Sequence, residues 1–358
     1  LPTGEVIFAG PRDDGFFADT PRGGGAPAPT LPDGGAPPSG PARLVLTPGQ
    51  RDLAFRAAQG SAASLGFAEP LVIDHYPELS TTLESLNTLA SGGHGGLVAL
   101  CGERGSGKTS WLMALERQAP AALVCTRHDF TTRITSEAEL CDALCQALGT
   151  QGSLDRHQLS AVLLAGPPRV VMLDLCQNLM LRSVGGVAAY EALLRLAEDS
   201  APRVLWVLAF ARWPFEFLQR LHPNRDVYNR IIVLRSWPEE AISELLSKRL
   251  EVAGFTANYD ELLNQMSSVA VGHHESVEQS DRNSDRFHRL IWDYADGNPR
   301  VALHFFRLAL APNPHHPTRV DVRLFPMPEA QALERFKQRT QFVLACLVQH
   351  ENITPQEA

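Results

Sequence analysis

Apolar positions along the chain change period several times, and the changes mark its elements. Leu53, Ala54 and Ala57 share one face of a helix expected near residue 50. After Ser80-Thr81-Thr82, Leu83, Leu86 and Leu89 recur at three-residue steps and predict a second helix. Unbroken apolar runs of strand length then alternate with helical patterns. Gly96-Leu97-Val98-Ala99-Leu100 is the first such run, and Ala121-Ala122-Leu123-Val124-Cys125 the next. A helix over 138–148, ended by Gly149, leads to Val170-Val171-Met172-Leu173. A further helix over about 188–198 precedes Val204-Leu205-Trp206-Val207-Leu208-Ala209, and Arg230-Ile231-Ile232-Val233-Leu234 forms a short fifth run. Strands separated by helices predict βα units, and so a parallel sheet covered on both faces: an α/β, three-layer αβα fold. Beyond Ser236-Trp237-Pro238 the pattern predicts mostly helix, over 240–252, 287–294, 300–310 and 329–350, with a polar loop insertion at 270–285.

Composition divides the chain further. Residues 21–41 collapse to Gly, Pro and Ala, a semi-extended linker. Residues 1–20 are patterned but too short to build a core, so 1–45 is expected to be disordered. The nucleotide-binding unit is expected over 46–236, a helical unit over 237–312 and a further helical segment over 313–358. The chain begins Leu1-Pro2 and ends at Ala358 within an unfinished element, which reads as a piece of a longer protein. Apolar residues make up 44% of the 358 and charged residues 20%, enough for a real core. A net charge of −8 argues against nucleic-acid binding held by overall charge, though not against a local basic patch. No apolar run approaches the ~20 residues that span a bilayer. Six cysteines without a C-x-x-C pair read as reduced thiols, with a cytoplasmic location as the expectation. Cys141 and Cys145 share a helix face, and two buried small residues are favoured there over a metal or redox pair.

The chemistry concentrates after the first strand. Gly102-Glu103-Arg104-Gly105-Ser106-Gly107-Lys108-Thr109 spells G-x-x-x-x-G-K-T in full, followed by Ser110 and a helical segment. Strand, glycine loop and helix stand in the order that a phosphate-binding loop requires. Gly102, Gly105 and Gly107 let backbone N–H groups, with those of Arg104 and Ser106, point inward, and the helix start adds its positive end. Lys108 is placed to reach β- and γ-phosphates and the Thr109 hydroxyl to hold Mg²⁺. The competing reading is a glycine-rich turn that happens to precede a helix. Some 65 residues on, Asp174 closes the run Arg169-Val170-Val171-Met172-Leu173. At the carboxyl end of a neighbouring strand it can hold the Mg²⁺ bound by Thr109 or orient water, or else cap a turn.

Leu173-Asp174-Leu175-Cys176-Gln177-Asn178-Leu179 resembles the Asp-Glu-Ala-Gln-Asn-Leu run of AAA+ ATPases of the initiator and secretion-accessory type. Asp296-Gly297-Asn298-Pro299-Arg300-Val301-Ala302 is similar to the Gly-Asn-Pro-Arg opening the lid helix of that family, and Glu239-Glu240-Ala241-Ile242-Ser243-Glu244-Leu245-Leu246 to its first lid helix. The resemblance spans about residues 80–310. It implies a P-loop ATPase core with a C-terminal helical lid, ATP and Mg²⁺ as cofactors, and self-association or a protein partner. It also implies Arg300 as a sensor at the γ-phosphate, against a surface arginine at a helix start. Arg212, just past the fourth strand, falls where the family places a polar sensor. Arg225 and Arg230 fall near its inter-subunit arginine. The sequence departs from the family at Leu175, where active members carry a carboxylate that polarises the attacking water. Leucine cannot accept a proton, and general-base steps are typically worth 10²–10⁴-fold.

Residues 342–358, with Thr354-Pro355-Gln356-Glu357, resemble the opening of a winged-helix domain, which leaves DNA as a partner through residues not present. His273-His274 and His315-His316 lack ligand spacing and read as loop histidines. Three functions compete: a nucleotide-dependent switch with weak hydrolysis, an active motor or loader on DNA or protein, and a small-molecule kinase that the lid motifs disfavour.

Overall fold

The computed structural model describes residues 76–350, apart from 151, 182–183, 222–226, 261, 263–276, 314, 317 and 326–330. The helix expected near residue 50, Arg225, His273-His274 and the Thr354-Pro355 segment lie outside the described residues. Helix α1 (Leu79–Ala90) leads into β1 (Gly96–Gly102), whose seven residues are all buried. Then follow α2 (Lys108–Gln118), β2 (Val124–Asp129), α3 (Glu137–Leu148), α4 (Arg156–Ala165) and β3 (Arg169–Asp174). Next come α5 (Ala188–Ser200), β4 (Val204–Ala211), α6 (Arg212–Leu221) and β5 (Arg230–Val233). The five strands form one sheet in the order β2-β3-β4-β1-β5, all parallel. Strand β1 therefore sits inside the sheet with its carboxyl end between neighbours, which is where an open parallel sheet places its ligand.

Alternation along the strands sends side chains to two apolar layers. Val98, Leu100, Val170 and Met172 pack with Trp111, Leu112 and Leu115 of α2 and with Leu86 and Leu89 of α1. Leu97, Ala99, Val171, Leu173 and Trp206 pack with α3 to α6 through Leu140, Leu159, Leu193 and Phe215. Two capping boxes fix helix starts here: Ser136 with Glu139 for α3, and Asp155 with Gln158 for α4. Helix α4 went unread in the pattern although its Asp-x-x-Gln signal is present. Helix α6 follows β4 without turn residues, so no sequence boundary separates them.

The second strand runs three to four residues further than its apolar run. Val124–Asp129 pairs residue by residue with Arg169–Asp174, while 121–123 form a turn. As an edge strand it has one partner and is partly solvated on both faces, so polar Thr126, Arg127 and His128 are tolerated.

Beyond β5, α7 (Glu239–Val252), α8 (Val277–Ala295) and α9 (Pro299–Ala309) pack together. Helix α8 takes in residues 277–285, which the pattern reads as loop. A small sheet was also missed: β6 (Thr256–Asn258), β7 (Leu310–Pro312) and β8 (Arg319–Val322) pair in the order β6-β8-β7. Three- and four-residue strands carry too little alternation to be seen. They form because Val320, Val322 and Leu310 are buried against the helices, joining the apolar layer of α1 and α2. After α10 (Gln331–Glu334), α11 (Gln338–His350) ends the described chain. Among the described residues no helix is long and apolar enough to cross a membrane.

His288 lies at the centre of the helical unit, 3% exposed, with Nδ1 2.7 Å from Ser243 Oγ and Nε2 2.9 Å from the Tyr259 hydroxyl. Burial lowers its pKa from 6.5 to about 4, against the opposing charge of Asp285. The folded state keeps it neutral while the unfolded chain protonates below 6.5. Its contribution is therefore whole above pH 6.5 and is lost as pH falls toward 4, on the order of 3 kcal/mol. Acid melting of the wild type should lose stability through this window, and His288→Gln should flatten that part of the profile. An unchanged profile in the variant would assign the acid sensitivity elsewhere.

Candidate nucleotide site

The buried run of β1 delivers the glycine loop to the carboxyl edge of the sheet. Gly105 and Gly107 have φ of +86° and +98°, a region that costs other residues ~1–2 kcal/mol. A Cβ at Gly102 would come 2.5 Å from Ser106 Oγ, so the loop also closes on itself there. Helix α2 begins at Lys108 with Gly107 as its N-cap. The Lys108 ammonium, 8% exposed, donates to the carbonyls of Gly102 and Glu103 at 2.9 Å each. Ser106 Oγ is buried and has no hydrogen-bond partner among the described residues. A buried orphan hydroxyl costs roughly 1–3 kcal/mol unless a ligand satisfies it, and a phosphate oxygen would. Loop, lysine and orphan hydroxyl together fit a polyphosphate.

Thr109 and Asp174, 65 residues apart, meet directly. Thr109 Oγ1 donates to Asp174 Oδ2 at 2.5 Å, and the Leu175 N–H donates to Asp174 Oδ1 at 2.8 Å. Asp174 is 2% exposed and held through both oxygens. A hydroxyl and a carboxylate are hard oxygen donors, the set Mg²⁺ takes alongside phosphate and water. Ser110 follows on the first turn of α2, half-buried.

Leu175 stands after Asp174 with φ +57°, half-buried, where it caps the short 3₁₀ turn Cys176–Leu179. A leucine in that region is strained, and its side chain brings no polar atom to the site. The turn ties three strand ends together. Asn178 Nδ2 donates to the Phe130 carbonyl at 2.6 Å, and the Ala211 N–H donates to Gln177 Oε1 at 3.3 Å.

The helical unit docks on the loop. Asn298 caps α9, accepting from the N–H groups of Arg300 and Val301, and its Nδ2 donates to the Arg104 carbonyl at 2.9 Å. The stem of Arg300 lies over Gly105: a Cβ there would be 2.5 Å from Arg300 Cβ. Trp237 donates its N–H to the Gly297 carbonyl at 2.8 Å and accepts at its own carbonyl from Trp292 Nε1 at 2.8 Å. The Tyr76 hydroxyl donates to the Gly107 carbonyl at 3.3 Å, its ring edge-on to Trp237 at 5.8 Å. Tyr76 carries no motif that could have flagged it. Asn298 reaches the loop only through the fold, although it stands within Gly-Asn-Pro-Arg.

Other candidates separate. Arg212 opens α6 and pairs with Glu103 of the loop at 3.3 Å and with Glu216 at 3.0 Å. Both pairs are solvent-exposed and worth little in stability. Arg230 is in register with Val98, at the amino end of β5 and away from this chain's own loop. His315 and His316 donate their backbone N–H groups to Asn313 Oδ1 in a surface loop. No group of three or more metal-binding side chains occurs among the described residues. Cys141 and Cys145 are buried, and burial raises Cys141 to about 11, leaving a protonated, unreactive thiol.

Asp129 completes the polar edge. It ends β2 in register with Asp174, and partial burial, then the Asp174 charge, raise its pKa. Nothing in the sequence singles it out.

A glycine phosphate loop between a central parallel strand and a helix, facing an aspartate on a nearby strand end, defines a P-loop nucleotide-binding αβα fold. No family model matches the chain, and no curated protein matches it. Solved structures are similar in fold. They include the Aeropyrum pernix ORC2 protein in its ADP form, with 15% identity and a TM-score of 0.45 over 67% of this chain and 66% of that one. Drosophila ORC bound to DNA is another, with 13% identity and a TM-score of 0.42 over 65% and 60%. A third is the Thermotoga maritima RuvB Holliday junction branch migration motor, with 15% identity and a TM-score of 0.31 over 63% and 65%. At such low identities the site's chemistry rests on the chain's own residues.

Proposed function

We propose that the chain binds ATP with Mg²⁺ and acts as an AAA+-type switch or assembly ATPase whose nucleotide state is sensed by the helical unit. The observation that carries this is the Thr109–Asp174 contact beside the orphaned Ser106 hydroxyl. It supplies a metal pair and a phosphate cradle at one strand edge. The backbone N–H groups of the loop and Lys108 hold the β- and γ-phosphates, and Thr109 and Asp174 hold the metal, which neutralises phosphate charge. Arg300 reports an occupied loop to α9 in this reading, which the closeness of its stem to Gly105 supports. The partner that reads that state is a protein or a second copy of this chain, with DNA as a further partner class.

Hydrolysis is slow in this reading because Leu175 stands where a carboxylate would polarise water. The test is ATP binding and phosphate release by the full chain, with and without Mg²⁺, beside Leu175→Glu. Wild type should bind tightly and turn over slowly, and Leu175→Glu should raise turnover by about 10²-fold or more. Brisk wild-type turnover would favour the motor or loader reading, and an unchanged rate in the variant would remove Leu175 as the cause.

A further inference from the structure

The edge that lacks a carboxylate at Leu175 carries one on the neighbouring strand. Asp129 is the last residue of β2 and the register partner of Asp174, and parallel neighbours lie about 4.8 Å apart. Register partners in a parallel pair face the same side of the sheet. That side is fixed by Arg127, two residues earlier, which forms an ion pair with Glu116 of α2. Asp129 therefore projects on the α2 side, the side of Thr109. His128 alternates to the other face and packs edge-on against Phe130 at 5.0 Å.

The other carboxylates at this edge are committed. Asp174 holds Thr109 Oγ1 and the Leu175 N–H, while Glu103 and Glu216 are both held by Arg212. Among the described residues the Asp129 carboxylate accepts no hydrogen bond.

We propose that Asp129 accepts the hydrogen bond of the water that attacks ATP, supplying from β2 the carboxylate that Leu175 does not. The inference rests on the nucleotide-binding reading given above. The water oxygen bonds to the γ-phosphorus. The bond from that phosphorus to the β,γ-bridging oxygen breaks, and its electron pair leaves on ADP. The water's proton, held by Asp129 during attack, ends on the released phosphate.

Full-length Asp129→Asn and Asp129→Ser are measured for binding of a fluorescent ATP analogue with Mg²⁺ and for phosphate release. Affinity should stay within about threefold of wild type while phosphate release falls by about 10²-fold. Lys108→Ala, measured beside them, should lose affinity as well, which separates failure of this inference from failure of the nucleotide site. Wild-type turnover in both Asp129 variants would overturn the proposal. So would loss of affinity equal to loss of turnover, which would make Asp129 a ligand of the metal or nucleotide. A wild type that binds ATP without releasing phosphate would overturn it too, and one that binds no ATP would overturn both readings.

Discussion

Lys108→Ala should weaken ATP binding by about 10- to 150-fold, the ~1.5–3 kcal/mol typical of hydrogen bonds to a charged group. The ammonium is buried at the mouth of the loop and bonded to two of its carbonyls, so it stands where phosphate charge would gather. Alanine removes the charge and also frees the Gly102 and Glu103 carbonyls, loosening the cradle. If the side chain reaches the β- and γ-phosphates, as proposed, ADP should lose less affinity than ATP. Calorimetric titration of both nucleotides checks the size and the order of the losses. The melting temperature serves as control, since the apolar layers of the sheet do not include Lys108. Undiminished ATP affinity would sink the phosphate-loop reading altogether.

Gly105→Ala should abolish tight ATP binding and loosen the docking of α9 in one step. Two costs add at this position. A left-handed backbone costs an alanine ~1–2 kcal/mol. The new Cβ would also lie 2.5 Å from Arg300 Cβ and 2.7 Å from Asn298 Oδ1, closer than real Cβ contacts allow. Either the loop moves away from its phosphate-binding shape, or Asn298 gives up the Arg104 carbonyl. Gly92→Ala isolates the first cost, because Gly92 has φ +88° and nothing within 4 Å of an added Cβ. Gly92→Ala should therefore lower thermal stability while leaving ATP affinity at the wild-type value. Binding by Gly105→Ala equal to that of Gly92→Ala would show that the loop and α9 are not coupled through this contact.

Much of the core was legible because its signals are local. Five apolar runs became five strands, each within a few residues of its expected place. The full G-x-x-x-x-G-K-T placed Gly102, Arg104, Gly105, Ser106, Gly107, Lys108 and Thr109 on the loop and the first turn of α2. Apart from α4, whose Asp155-x-x-Gln158 box is a local signal, what escaped reading lacked one. Strands β6 to β8 are too short to alternate, β2 is polar on both faces beyond Cys125, and α6 abuts β4 with no turn between them. Asp174 was legible as a strand-end aspartate, but its 2.5 Å contact with Thr109 was not, since 65 residues separate them. Asp129 was illegible for a related reason. It ends a strand whose apolar run stops four residues earlier, and only its register against β3 sets it beside Asp174.

By itself the sequence determined the αβα class and the phosphate loop, because hydrophobic period and glycine spacing are written residue by residue. Tertiary structure decided what meets the loop. Strand order brought Asp174 and Asp129 to one edge, and packing of α9 set Asn298 and Arg300 over Gly105. These are juxtapositions of residues 45 to 195 positions apart, selected by the burial of two apolar layers, and no local pattern encodes them.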